Sequence, residues 1–267
     1  MSRANRHFLP GYVWHITHRC HKKEFLLKFA RDRRRWIAWL FEARKRFGLH
    51  IFNYMVTSNH VHLLARDNGG DRAIPKSLQL IAGRTAQEFN QRKNRRGAFW
   101  EDRYHATAVE TDQHLHQCLV YIDLNMVRAG VVNHPSEWAF CGYHEIQKPR
   151  KRYRIIDIEG LRELLGFNTT GELIEAHAHW INKTINNENF DSSGKCRDGK
   201  WTESIAVGSR EFVAQTKEDL GVDAIGRKII GSDATFALRE MQTAYRGNLG
   251  AEIGILRHKN TYFLEGF

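Results

Sequence analysis

Three His-x-His pairs stand out in the sequence: His60-Val61-His62, His114-Leu115-His116 and His177-Ala178-His179. With 15 His in 267 residues the pattern alone is weak, and local context must separate the three. On a strand, residues i and i+2 leave the same face; on a helix they diverge by about 200°. His114 and His116 stand at a helix start, and His177 and His179 lie in the helical-looking ELIEAHAHWI. Neither pair is placed to converge on one ion. His60 and His62 instead begin a strand after a turn, in SNHVHLLAR. Their imidazoles would stand about 6–7 Å apart along one face, a spacing that can chelate a metal. A plain pair of exposed sheet-face histidines is the competing reading.

A two-histidine site needs a third ligand, and the segment HLHQCLVYIDLNMVRAG offers candidates. Leu115, Cys118, Leu119, Ile122 and Met126 form one apolar stripe, and Val120, Leu124 and Val127 another. The remaining face carries Gln117, Tyr121, Asn125 and Arg128 at helical steps. Such a helix is buried except along its narrow polar stripe. Tyr121 and Asn125 then sit one turn apart, aimed at the same place, although a tyrosine that merely packs fits the pattern as well.

The elements that would position these groups alternate. Tyr12–Arg19 reads as a strand and Glu24–Phe47 as a helix with Phe25, Phe29, Trp36, Leu40 and Phe47 at helical spacing, stopped by Gly48. Leu49–Thr57 and Val61–Arg66 read as strands around a Ser58-Asn59 turn. Ile74–Lys93 is a second helix with Pro75 in its first turn, and Phe99–Val109 a third β-rich stretch. Thr111 or Asp112 then caps a helix that runs to Ala129 and stops at Gly130. The order β-α-β-β-α-β-α predicts an α+β fold: a ferredoxin-like antiparallel sheet flanked by helices.

A boundary is expected in the basic stretch Gln147–Arg154, dividing the chain into residues 1–150 and 151–267. The second part reads as a mainly helical accessory region. It contains LRELLGF, ELIEAHAHWINKTI, GSREFVAQTKEDLG and ATFALREMQTAYRGNLG, with a linker-like stretch at Asn186–Lys200.

Charge follows the same division. Residues 1–150 hold 25 Lys and Arg against 13 Asp and Glu, and residues 151–267 hold 16 against 17. The whole positive excess belongs to the first part, which points to a polyanion, most simply nucleic acid. No apolar run is long enough to span a bilayer, and Met1–Pro10 has no apolar signal core. Cys20, Cys118, Cys141 and Cys196 are far apart, without a C-x-x-C, so a reduced cytoplasmic protein is expected.

NHVHLL followed by YIDLNMVRAG resembles the single-tyrosine (IS200-like) transposases of the HUH nuclease class, above all the REP-associated tyrosine transposases. That family carries a His-hydrophobic-His strand and a later helix with Y-(I/V)-x-x-N-P-V-(R/K)-x-G. Met126 stands here where Pro is usual. Gly97–His105, GAFWEDRYH, is similar to the family's aromatic and basic strand, and the resemblance covers roughly residues 8–145.

The resemblance implies a metal-dependent single-strand DNA endonuclease and transposase acting on hairpin DNA. Tyr121 would be the nucleophile, forming a 5′-phosphotyrosine, and His60, His62 and Asn125 would hold Mg²⁺ or Mn²⁺. The donor set itself does not select Mg²⁺, since imidazole suits Mn²⁺ or Zn²⁺ better. Arg92, Lys93, Arg95, Arg96 and Arg103 are candidates to contact phosphates, with Trp100 and Tyr104 stacking on bases. The Lys/Arg run Arg31–Arg46 reads as a solvated face or a second phosphate track. A cytoplasmic, nucleoid-associated protein, monomer or homodimer, is expected. The rival readings are a catalytically idle hairpin-binding regulator and a phosphodiesterase that uses water.

Overall fold

The computed structural model describes residues 9–66, 72–187, 198–232 and 234–240. The first half builds β1 (Val13–Arg19), α1 (Ala30–Phe47), β2 (His50–Val56), β3 (His60–Arg66), α2 (Ala73–Arg92) and β4 (His105–Val109). Strand β1 is central and pairs antiparallel with both β3 and β4, while β2 pairs antiparallel with β3. The resulting order β2-β3-β1-β4 is the expected ferredoxin-like sheet.

Register assigns the faces. Trp14, Ile16 and His18 lie opposite Ala65, Leu63 and Val61. This face is buried, and Trp36 and Leu40 of α1 and Ile74 and Ile81 of α2 belong to the same core. On the other face Thr17 lies opposite both His62 and His105, and His15 opposite Leu64 and Thr107. The free edge of β2 is covered: Val56 and Asp157 donate backbone bonds to Phe140 and Ile51, and Gly142 to Tyr54. Gly142 is required there, because a Cβ would collide with the Asn53 side chain.

The first long helix starts later than its apolar spacing predicts. Residues 24–29 are irregular, and Phe25 and Phe29 are exposed. The reason is Arg33, which is buried and donates to the carbonyls of Leu27 and Lys28 and to Ser58 Oγ. These bonds hold the preceding chain outside the helix. Gly48 ends α1 in the left-handed region at φ 66°, as expected.

The predicted last helix of the first half is divided into α3 (Gln113–Asp123) and α4 (Asn125–Arg128), with a break at Leu124. Asp112 occupies the N-cap position, but at φ 65° its side chain makes no capping bond. A short helix α5 (Tyr143–Gln147) follows. Beyond it come α6 (Ile158–Leu164) and α7 (Thr170–Ile185), the latter opened by a Thr169–Glu172 capping box. The one-turn α8 (Lys200–Glu203), β5 (Ala206–Gly208), α9 (Arg210–Leu220), β6 (Arg227–Ser232) and β7 (Thr235–Glu240) complete the described chain.

One expectation is corrected here. Thr235–Glu240, predicted helical within ATFALREMQTAYRGNLG, is a strand paired on both sides, with β5 and β6. Because β5 lies parallel to β4, the sheet continues to seven strands, β2-β3-β1-β4-β5-β7-β6. The remainder of that stretch, and most of Asn186–Lys200, lie outside the described residues. Among the described residues no helix is long and apolar enough to cross a membrane. Cys20, Cys118 and Cys141 are free and buried, while Cys196 lies outside the described residues.

The two helical His-x-His pairs diverge as expected. His177 is fully buried and donates from Nε2 to Asp123 Oδ2 at 2.8 Å, while His179 is exposed. Asn53 Nδ2 donates to the other oxygen of the same carboxyl at 3.0 Å. This buried cluster ties α7 and β2 to the end of α3. Removing one partner leaves a buried carboxyl under-satisfied. His177→Ala is therefore expected to destabilise the fold by about 3 kcal/mol or more, read as a lower urea midpoint. A midpoint unchanged from wild type would contradict the pairing.

Candidate active site

Strand alternation and the β1–β3–β4 register gather four histidines on one side of the sheet. His60 and His62 project from β3, His15 from β1 and His105 from β4. Helices α3 and α4 pack over this side. The His60 and His62 rings are 5.0 Å apart between centroids. Asn125 Nδ2 lies 3.0 Å from His62 Nε2. Tyr121 meets the His62 and His15 rings edge-on, each at 6.0 Å. Arg128 lies 4.3 Å over the Tyr121 ring and donates to the Tyr121 carbonyl at 2.5 Å. His60, His62, His105, Tyr121, Asn125 and Arg128 line a cavity of about 570 Å³.

The structure thus brings together the four residues singled out for chemistry. The Leu124 break does not disperse them, because Leu124 and Arg128 keep helical backbone bonds to Val120 and Leu124. Met126 is buried and is not among the residues lining the cavity.

The outer atoms of both β3 histidines are oriented by partners. Asn59 Nδ2 donates to the Lys23 carbonyl, which turns its Oδ1 toward His60 Nδ1 at 2.8 Å. His62 Nδ1 lies 2.9 Å from His15 Nε2, and His15 Nδ1 lies 2.8 Å from the Trp201 carbonyl. His15 is completely buried. Desolvation pushes its pKa down to about 3, against the smaller opposing effect of the Trp201 carbonyl and with a further lowering from His105. The imidazole is therefore neutral at physiological pH.

Among the described residues no three His, Cys, Asp or Glu are arranged to hold a metal ion. A site here requires the amide of Asn125 as the third donor, turned so that Oδ1 and not Nδ2 faces the ion. Two imidazoles and one amide oxygen fit a divalent cation of the Mn²⁺ type, and their neutrality leaves the ion's charge available to a phosphate.

The residues expected to bind DNA are placed less uniformly. Arg103 is exposed and lines the cavity, and Arg96 is exposed. Arg92 is paired with the buried Asp32, and Lys93 Nζ lies 5.3 Å over the Phe29 ring. Arg95 donates to the Asn90 side chain and the Ala98 carbonyl, closing the turn after α2. Trp100 is stacked on His18 at 4.1 Å and donates to the Ala82 carbonyl. Tyr104 is buried. Its ring stands just before β4 and meets the His18 ring edge-on at 6.3 Å. In the Arg31–Arg46 run, Arg33 lies over Trp138 and Phe140, and Arg35 is held by Glu88.

Sequence reasoning missed His15, His105 and the Trp201 carbonyl. The only local signal was His15 in a predicted strand, two residues from Thr17; which face it shared with His62 depends on register.

Residues 10–125 match the model of the family described as IS200-like transposases. Across that segment the chain resembles these transposases, as the two motifs indicate. Among solved structures, a REP-associated tyrosine transposase bound to a REP hairpin is 20% identical, with a TM-score of 0.47, covering 58% of this chain and 90% of that one. A protein described as a transposase from Deinococcus radiodurans R1 is 16% identical, with a TM-score of 0.32, covering 44% and 92%. No curated protein gives a significant match.

The burial of Tyr104 has a measurable consequence. Tyr104→Ala is expected to cost about 3–5 kcal/mol of stability, seen in chemical denaturation. An unchanged midpoint together with weakened DNA binding would show that the ring faces nucleic acid instead.

Proposed function

We propose that this protein is a metal-dependent single-strand DNA endonuclease and transposase in which Tyr121 is the nucleophile. The observation that carries the reading is the Tyr121 ring set against His62, which in turn faces His60 and Asn125 inside one cavity. The match of residues 10–125 to IS200-like transposases supports the same reaction class. The domain-sized basic excess before residue 150 supports a nucleic-acid substrate.

His60, His62 and Asn125 would hold Mg²⁺ or Mn²⁺. When bound, the ion supplies Lewis-acid polarisation of the scissile phosphate. The protein's own groups do the rest. Tyr121 Oη attacks phosphorus, the phenolic proton leaves to solvent, and the bond from phosphorus to the 3′ oxygen breaks. The departing 3′ oxygen takes up a proton. The 5′-phosphotyrosine keeps the phosphodiester energy, so a second 3′-OH can reverse the step and join strands. Arg128 holds the tyrosine from its backbone and ring face, and its guanidinium adds positive charge beside the reacting phosphate. Arg103, which lines the cavity, and the exposed Arg96 would contact phosphates of the strand.

The substrate in this reading is single-stranded DNA next to a hairpin, and residues 151–267 are an accessory region. Denaturing gels with synthetic hairpin DNA and Mn²⁺ test the mechanism. Wild type should yield a protein–DNA adduct. Tyr121→Phe should lose both adduct and cleavage while binding the same DNA within about twofold, a difference below roughly 0.4 kcal/mol. Cleavage by Tyr121→Phe at the wild-type rate would overturn the proposal, and wild-type hydrolysis without an adduct would favour attack by water.

A further inference from the structure

His15 is outside the motifs that suggest the chemistry, and Trp201 is outside the family match, yet both end at the same ring. Their hydrogen bonds have a direction that can be worked out. A carbonyl only accepts, so His15 Nδ1 must carry a proton and donate to the Trp201 oxygen, 2.8 Å away. His15 is fully buried. A neutral imidazole with its proton on Nδ1 has a lone pair on Nε2. His62 Nδ1, 2.9 Å away, must then be the donor to His15. With its proton on Nδ1, a neutral His62 keeps the lone pair of Nε2 directed at Asn125 and the cavity.

We infer that His15, fixed by the backbone carbonyl of Trp201, is a positioning residue that locks His62 in the Nδ1-protonated tautomer, the only neutral form able to ligate a metal through Nε2. This inference deepens the metal reading above and rests on it.

The Trp201 carbonyl is available for a structural reason. Helix α8 is a single turn, and the chain becomes extended at Ser204. The backbone N–H of Ile205, which a longer helix would direct to Trp201, donates to Leu238 of β7. The orphan carbonyls at this helix end turn to the sheet. Trp201 meets His15, and also Thr107 Oγ1 at 3.3 Å. Ser204 meets Thr107 at 2.6 Å and His105 at 2.9 Å. The segment after residue 150 thereby reaches the site, where Thr202 also lines the cavity and the Trp201 ring lies 6.2 Å from that of Tyr121. A neighbouring group that fixes tautomer and ring orientation commonly changes metal affinity by about 10–100-fold.

The test uses the full-length protein, first without metal or DNA. Long-range proton–nitrogen NMR correlations on its labelled histidines should show a protonated Nδ1 and a pyridine-like Nε2 for His62. His15→Leu, which cannot accept the proton, should give mixed or Nε2-protonated His62 and weaken Mn²⁺ binding by calorimetry about tenfold or more. His15→Gln, with a carbonyl oxygen to accept and an amide to donate, should restore both. A His62 protonated on Nε2 in wild type would overturn the relay. So would an unchanged tautomer and Mn²⁺ affinity in His15→Leu. If His15→Leu does not fold, the wild-type tautomer and the His15→Gln protein still decide. A wild-type protein with the expected tautomer that binds no Mn²⁺ would overturn the metal reading, and with it the role given to His15, while leaving the hydrogen-bond order intact.

Discussion

Thr17 of β1 lies directly opposite His62 of β3 on one side and His105 of β4 on the other. Strand side chains alternate with period two, so a slip of one residue would turn His60 and His62 to the opposite face. There they would meet the apolar side of Trp14, Ile16 and Leu63. Burial of that apolar face therefore holds the register that gathers the histidines. The same constraint places His15 beside His62 and aims Asn53 at the carboxyl of Asp123, two residues beyond Tyr121.

The polar side of the sheet is closed from two directions. Helix α3 brings Tyr121 over the histidines and is fixed at its end by Asp123, which accepts from Asn53 and from His177 of α7. From the opposite side, the α8–β5 segment lies against β4. Thr107 and His105 bond to Ser204, and both oxygens of Glu110 accept from Ser209. Residues after 150 thus extend the sheet and brace the site, which gives the near-neutral part of the chain a physical role that does not need contact with phosphate.

The local part of this arrangement was legible in the sequence. The two-residue step of His60 and His62 and the four-residue step of Tyr121 and Asn125 are fixed by element type alone, and the strand and helix order gives the ferredoxin-like sheet. Features that depend on long-range pairing were not legible. His15 joins the site through strand register, and Trp201 through a one-turn helix whose carbonyl has lost its usual partner. Thr235–Glu240 has a helix-like pattern, but β5 and β6 capture it as a strand. Phe25 and Phe29 have helical spacing, but the buried Arg33 binds the carbonyls before α1 and keeps them out. The contacts that the basic and aromatic candidates make inside the fold were not legible either. Arg92, Arg95 and Trp100 have partners within the fold, and Tyr104 is in the core.

The central claim is that His60, His62 and Asn125 hold a divalent cation beside Tyr121. Pulsed electron paramagnetic resonance of the full-length protein with added Mn²⁺ tests it most directly. The account predicts coupling of the electron spin to imidazole nitrogen, reduced in His62→Ala. A Mn²⁺ signal coupled only to water protons, or nitrogen coupling unaffected by His62→Ala, would contradict it.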